Sequence, residues 1–226
     1  MNLKMNKNIN IASYIDHTIL NPDKTNEDIY KLCKEAIEYK FSSVCVLPHY
    51  VAYCRNLLAD TGVKVCTVIG FPLGATHTSI KIAEAETAIE DGAIELDMVI
   101  NISALKNKDY KTVQEDIEAV TEFAHLNNAI VKVIVETCLL TLDEKIKICE
   151  IVSNAGADFI KTSTGFSTSG ATIEDIELFR KHCSENVKIK ASGGIRSNDF
   201  TIQLINAGAD RIGTSSGIKI FNESRQ

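Results

Sequence analysis

Proline and long apolar runs are both scarce in this chain of 226 residues. The three prolines all fall outside the helical patterns, so none interrupts a regular element. No apolar run exceeds a handful of residues, whereas a membrane-spanning helix needs about 20. The polar, lysine-dotted stretch Met1–Asn10 is followed by no apolar segment, which argues against a secretory signal peptide. The seven cysteines include no C-x-x-C pair, so zinc ribbons and thioredoxin-type chemistry lack their signature. Excess positive charge is missing as well. With 24 Lys plus Arg against 30 Asp plus Glu, the net charge of −6 does not suit a nucleic-acid binder. G-x-G-x-x-G and the Walker lysine are absent, which argues against dinucleotides and nucleoside triphosphates. His17, His49, His77, His125 and His182 show no close pairing, so no metal site is expected.

The composition itself is that of an ordinary globular protein, with 45% hydrophobic and 24% charged residues. The length suits one domain over residues 1–226. Cysteines scattered from Cys33 to Cys183 in apolar contexts read as reduced, buried small hydrophobes, and the expected location is the cytoplasm.

Short β-branched runs alternate with longer amphipathic stretches. Strands are predicted near Tyr14–His17, Ser43–Leu47, Lys64–Ile69, Ile94–Val99, Val131–Glu136, Asp158–Thr162, Val187–Ala191 and Arg211–Gly213. Helices are predicted over Asn26–Tyr39, His49–Ala59, Thr78–Glu90, Tyr110–Leu126, Leu142–Ser153, Ile173–His182 and Asn198–Asn206, with a short one after Ser216. Asn26 and Thr172 stand where caps are needed. Eight strands alternating with eight helices predict an α/β fold, a single (β/α)₈ TIM barrel. Asn154-Ala-Gly-Ala-Asp158 is echoed in Asn206-Ala-Gly-Ala-Asp210 and, more loosely, from Asp91-Gly-Ala. The shared reading is a helix closed by a left-handed glycine before a buried strand.

Only every second strand residue faces a barrel's centre. On that rule Tyr14, Asp16, Glu95, Asp97, Lys132, Ile134, Glu136, Phe159, Lys161, Lys188 and Lys190 point inward. So many buried charges are costly unless paired or put to work. Lys161, Lys190 and Asp97 come late in their strands, at the face where barrel active sites form. Lys132 and Glu95 lie deeper and read as structural ion-pair partners. Asp16 would orient substrate or a lysine, and His17 reads as an ordinary satisfied histidine. Two glycine loops, Ala191-Ser-Gly-Gly-Ile-Arg196 and Gly213-Thr-Ser-Ser-Gly217, follow the predicted strands seven and eight, the recurrent phosphate site of barrels. Thr164-Gly165 would close the same pocket. Ile69-Gly-Phe-Pro-Leu-Gly-Ala75 either shapes the pocket or simply ends its strand.

These residues resemble the deoxyribose-phosphate aldolase family, class I aldolases with a barrel fold. The matching pieces are Tyr14-Ile-Asp-His-Thr-Ile-Leu20, Val65–Gly74, Glu95–Asn101, Lys132–Thr137, Phe159-Ile-Lys-Thr-Ser-Thr-Gly-Phe166 and Val187–Arg196. The resemblance implies reversible cleavage of 2-deoxy-D-ribose 5-phosphate to D-glyceraldehyde 3-phosphate and acetaldehyde, without cofactor or metal. It places the Schiff-base lysine at Lys161, a second lysine at Lys190 and an acid/base carboxylate at Asp97. It places phosphate contacts on Gly165, Gly193, Gly194, Ser215 and Ser216, with Gly213 shaping that loop, beside the substrate-orienting place that the residues themselves give Asp16. The implied partners are small phosphosugars and aldehydes, and a second copy of the chain in a dimer or tetramer. Some relatives carry a lysine where Phe166 stands. Some also carry a terminal tyrosine, whereas this sequence ends Phe221-Asn-Glu-Ser-Arg-Gln226. The residues read alone leave rivals open: a metal-dependent aldolase, a phosphosugar isomerase or epimerase, and a non-catalytic phosphate-binding barrel.

Overall fold

The computed structural model describes residues 9–225, so most of the Met1–Asn10 segment and the terminal Gln226 lie outside the described residues. Eight parallel strands close on themselves in chain order: β1 (Ile15–Ile19), β2 (Ser43–Val46), β3 (Lys64–Ile69), β4 (Glu95–Val99), β5 (Ile130–Ile134), β6 (Phe159–Lys161), β7 (Lys188–Ser192) and β8 (Arg211–Thr214). Pairing of Asp16 with Gly213 joins the first strand to the last. The expected (β/α)₈ barrel is the observed fold.

The helices are α1 (Asn26–Tyr39), α2 (Val51–Leu58), α3 (Thr78–Glu90), α4 (Ile102–Lys106), α5 (Tyr110–Leu126), α6 (Leu142–Asn154), α7 (Ile173–His182), α8 (Asn198–Ala207) and α9 (Gly217–Glu223). Local chemistry sets their starts. Thr25 and Asp28 form a reciprocal capping box at α1, as do Thr141 and Glu144 at α6. The cap of α1 is therefore Thr25, and Asn26 is already helical. Thr172 caps α7 as expected, through the Asp175 N–H. Gly92, Gly156 and Gly208 all have positive φ just past α3, α6 and α8, which is the physical content of the repeated sequence. α4 is absent from the sequence reading, because five residues are too few to show a period.

Outward strand residues such as Leu96, Met98, Val131, Val133, Ile160 and Ile189 pack against Ile117, Val120, Ile148 and Phe179 of the helices. Each such fully buried side chain contributes about 1.5–3 kcal/mol. The interior of the barrel is different. A small apolar cluster of Leu20, Cys45, Cys66 and Val68 fills the β2–β3 side. Beyond that cluster, Ile134 and Phe159 share the interior with a set of charged side chains.

Candidate active site

Strand alternation delivers the charges, and Asp97 is their hub. One carboxylate oxygen, Oδ2, accepts from Lys161 Nζ and from Lys190 Nζ, each at 2.7 Å. The other, Oδ1, accepts from Lys132 Nζ at 2.9 Å and from the Cys66 thiol at 3.2 Å. Lys190 also pairs with Asp16 at 2.5 Å, and Lys132 with Glu95 at 2.7 Å. Arg211 completes the network, reaching Asp16 at 2.6 Å and Glu95 at 3.1 Å. All seven charged groups are buried.

Burial opposes ionisation of Asp97, but Lys132, Lys161 and Lys190 outweigh it and hold its carboxyl well below the usual carboxylate range. Asp16 behaves alike: burial raises its pKa, and Lys190 and Arg211 bring it below the ordinary value. Burial also disfavours the charged forms of Lys190 and Lys132. Asp16 and Asp97 around the first, and Asp97 and Glu95 around the second, instead push both above the ordinary lysine value. Lys161 is partnered differently. It meets one carboxylate oxygen, already shared with Lys190, while Lys132, Lys190 and Arg211 each meet two carboxylates. Apart from Lys64 at the solvent edge, four cations thus face three carboxylates, and Lys161 is the least compensated.

Lys161 forms the floor of a cleft of about 270 Å³. Gly165, Gly193, Gly194, Gly213 and Ser215 line its walls with Thr18, Thr164, Phe166 and Arg196. Gly165 and Gly193 have φ of 85° and 84°. A side chain at Gly193 would meet the Gly170 Cα at 2.9 Å, so the β6 and β7 loops close over one another only with glycine there. Their backbone N–H groups and nearby hydroxyls suit an anion. Phe166 stacks edge-on against Phe71, with ring centroids 5.3 Å apart, and makes an apolar rim.

The predicted residues occupy three positions. Lys161, Gly165, Gly193, Gly194, Gly213 and Ser215 share the cleft. Lys190 and Asp97 lie directly beneath Lys161. Asp16 and Ser216 stand apart. Asp16 is fully buried as a counter-ion of Lys190 and Arg211, and accepts from Ser43 Oγ at 2.6 Å. Ser216 lines the adjoining groove beside Lys24, Lys31 and Lys219. His17 is buried and pairs with Glu35 at 2.8 Å.

Three residues of the inward set stand away from the interior. Lys188 is exposed at the bottom of the barrel, 5.7 Å from the Phe159 ring. Tyr14 ends a 3₁₀ turn before β1. Glu136 lies past the end of β5 with left-handed backbone. Arg211, Thr18 and Arg196 escape the sequence reading. Applied to strand eight, the same alternation would have turned Arg211 inward.

One group of metal-ligating side chains converges among the described residues: Cys45, Cys66 and Asp97, all buried. Three lysine ammonium groups already surround that carboxylate, so a divalent cation there would meet unscreened repulsion.

A lysine-floored cleft at the C-terminal end of a parallel barrel, walled by glycine loops, defines a barrel enzyme for small anionic substrates. The model of the DeoC/LacD family aldolases matches residues 10–223, and the chain belongs to that family. It is 57% identical to the deoxyribose-phosphate aldolase of Clostridium tetani over 215 residues, which are 95% of this chain and 99% of that one. It is 56% identical to the enzyme of the same name from Thermococcus gammatolerans over 219 residues, 96% of this chain and 97% of the relative. A solved structure described as the unique tetrameric structure of deoxyribose phosphate aldolase from Aeropyrum pernix superimposes with a TM-score of 0.89 at 36% identity. The match covers 96% of this chain and 91% of that one.

Proposed function

We propose that this protein is a 2-deoxy-D-ribose 5-phosphate aldolase that works through a Schiff base on Lys161. The carrying observation is the position of Lys161: on the cleft floor, 2.7 Å from an Asp97 oxygen that Lys190 also holds. A lysine must be neutral to attack a carbonyl. Of the four interior cations, Lys161 has a single carboxylate oxygen, shared with Lys190, and opens on the cleft. Lys132, Lys190 and Arg211 keep their charge through double pairing.

The amine adds to C1 of the open-chain sugar, and the carbinolamine loses water to give an iminium. Proton removal from the 3-hydroxyl then lets the C2–C3 bond break. Its electron pair goes to the iminium, giving an enamine and releasing glyceraldehyde 3-phosphate. Protonation at C2 and hydrolysis release acetaldehyde and restore Lys161. Asp97 and the Lys190 ammonium, with water, move protons to and from the carbinolamine. Such assistance is worth about 10²–10⁴-fold. No step calls for a metal, because the iminium is the electron sink. The phosphate sits against the N–H groups of Gly165, Gly193 and Gly194 and the Ser215 hydroxyl, with Gly213 shaping that wall. Asp16 acts through Lys190.

The described residues include no helix long and apolar enough to cross a membrane. We read the protein as cytoplasmic and as a homo-oligomer, dimer or tetramer, which light scattering on the purified chain checks.

Borohydride with acetaldehyde is the direct test. Reduction of the imine leaves a stable ethyl group, and peptide mapping should find it on Lys161, with EDTA making no difference. Label on Lys190 would exchange the two lysines' roles. Loss of activity in EDTA without any label would replace the Schiff-base reading with a metal-dependent one.

A further inference from the structure

The cleft rests on a carboxylate that the reaction above leaves unused. Glu136 is buried, 2% exposed, and follows β5 with φ 55° and ψ 65°. Side chains other than glycine enter that left-handed region at a cost, and such strain persists where surrounding contacts over-determine it. Here the contacts are those of Thr164. The Thr164 N–H lies 3.3 Å from both carboxylate oxygens, and its hydroxyl donates to Oε2. The Cys138 thiol is 4.0 Å from Oε1, so among the described residues no hydrogen-bond partner of this buried carboxylate is a cation.

The Thr164 hydroxyl donates to Glu136 and keeps a lone pair free, which accepts from the Phe166 N–H at 3.0 Å. Gly165 is thereby held between two fixed neighbours, and all three residues line the cleft. The first half of the same loop is tied elsewhere. The Thr162 hydroxyl donates to the Ser192 carbonyl at 3.1 Å, and Ser192 Oγ donates to the Ser163 carbonyl at 2.6 Å. These ties fix the loop next to Lys161 to β7. The anchor of the second half, where the phosphate would lie, is Glu136.

We infer that Glu136 is a positioning residue for phosphate recognition: its carboxylate fixes Thr164-Gly165-Phe166 so that the loop's N–H groups converge on the anion. The inference rests on the aldolase reading and assigns Glu136 no contact with substrate. It acts through the loop, not through Lys161, and that separation makes it testable.

In Glu136→Ala, KM for 2-deoxyribose 5-phosphate should rise about ten- to a hundredfold, as expected for misaligned charge-assisted hydrogen bonds. kcat, the cleavage of unphosphorylated deoxyribose and the rate of borohydride labelling by acetaldehyde should stay within about threefold, because none uses the anion site. Glu136→Gln keeps an acceptor oxygen for Thr164 and should restore KM to within about threefold. Glu136→Gly removes the carboxylate and also relieves the left-handed backbone, so it should fold at least as well as Glu136→Ala and show the same KM defect. Equal losses on both sugars, or slowed labelling in step with lost activity, would make Glu136 a general structural residue and overturn the inference. An unchanged KM in a folded Glu136→Gly would do the same. A wild-type protein that takes up no label would overturn the aldolase reading and this inference with it, whereas a labelled wild type with no KM split overturns this inference alone.

Discussion

Lys132 and Lys161 stand at two depths of the same barrel interior and share one counter-ion, Asp97. The deeper lysine is locked. It pairs with Glu95 and Asp97, lies 3.3 Å from the Cys66 sulfur and is fully buried. The upper lysine keeps one shared oxygen and opens on the cleft. The side chains are chemically identical, so the difference lies wholly in their partners. A lysine surrounded by carboxylates serves as structure, while one left with a contested oxygen at a cavity floor is available for chemistry. Lys190 lies between the two cases, doubly paired like Lys132 yet touching the same oxygen as Lys161.

The sharpest test of that contrast is Lys190→Leu, which should lower kcat by about 10²–10⁴-fold, the usual worth of general acid–base help. Asp97 keeps Lys132 and Lys161, and Asp16 keeps Arg211, so the variant should remain folded. A coupled assay for glyceraldehyde 3-phosphate, read beside the melting curve, checks both halves. Lys132→Met should show the opposite balance. It removes the shortest ion pair of Glu95, which keeps Arg211 and Lys64, and the one ammonium on Asp97 Oδ1, so unfolding free energy in urea should fall by about 3–5 kcal/mol, with a smaller effect on turnover at temperatures where the protein stays folded. Were Lys132→Met the more damaging to kcat and Lys190→Leu the more damaging to stability, the division by depth would be wrong.

The walls of the cleft offer a finer distinction. Ser215 lines both the cleft and the groove beside it, whereas Ser216 lines the groove and not the cleft. Ser215→Asp should weaken the phosphorylated sugar by about 10–100-fold relative to free deoxyribose, through a lost charge-assisted hydrogen bond and added repulsion. Ser216→Asp should do less, and the reverse order in steady-state KM values would move the anion into the groove.

The smallest effect concerns His17. Burial lowers its pKa, while Glu35 opposes that shift. The native imidazole therefore stays neutral where the unfolded one takes up a proton, below about pH 6.5. Its share of stability is present above that pH and declines as pH falls toward the folded value, by at most about 1.4 kcal/mol per pH unit. Asp16 and Asp97, held low, give up their share only below about pH 4, so the two windows are separate. Urea titrations across the upper window should show a slope that flattens in His17→Gln.

Much of this is legible in the sequence. The limits of α1, α3, α5 and α7 are those expected, because helical period and end chemistry are local properties. Strand ends drift by one or two residues, since a strand stops where its neighbours stop bonding to it. Alternation turns Asp97, Lys161 and Lys190 toward one interior, where they meet, but it carries no information about depth. Lys188 obeys the inward rule and still reaches solvent, because it sits at the barrel's lower edge. Asp16 turns inward as expected, but its partners Lys190 and Arg211 come from strands closed onto it only by the barrel. Pattern reading turns Glu136 inward at the end of a strand but cannot show its role, which depends on a left-handed backbone where the sequence continues like a strand.

The pairing of Asp16 with Arg211 joins residues 195 positions apart. At a synthesis rate of about 5–20 residues per second, the first strand's carboxylate waits about 10–40 s for its guanidinium to be made. Until then any partial barrel holds Asp16 without that partner, and its open sheet edges lack the strand that closes them. The nascent chain therefore gains little by burying its first strand early. Commitment to the native interior waits for β8, whose arrival completes the charges and the sheet together.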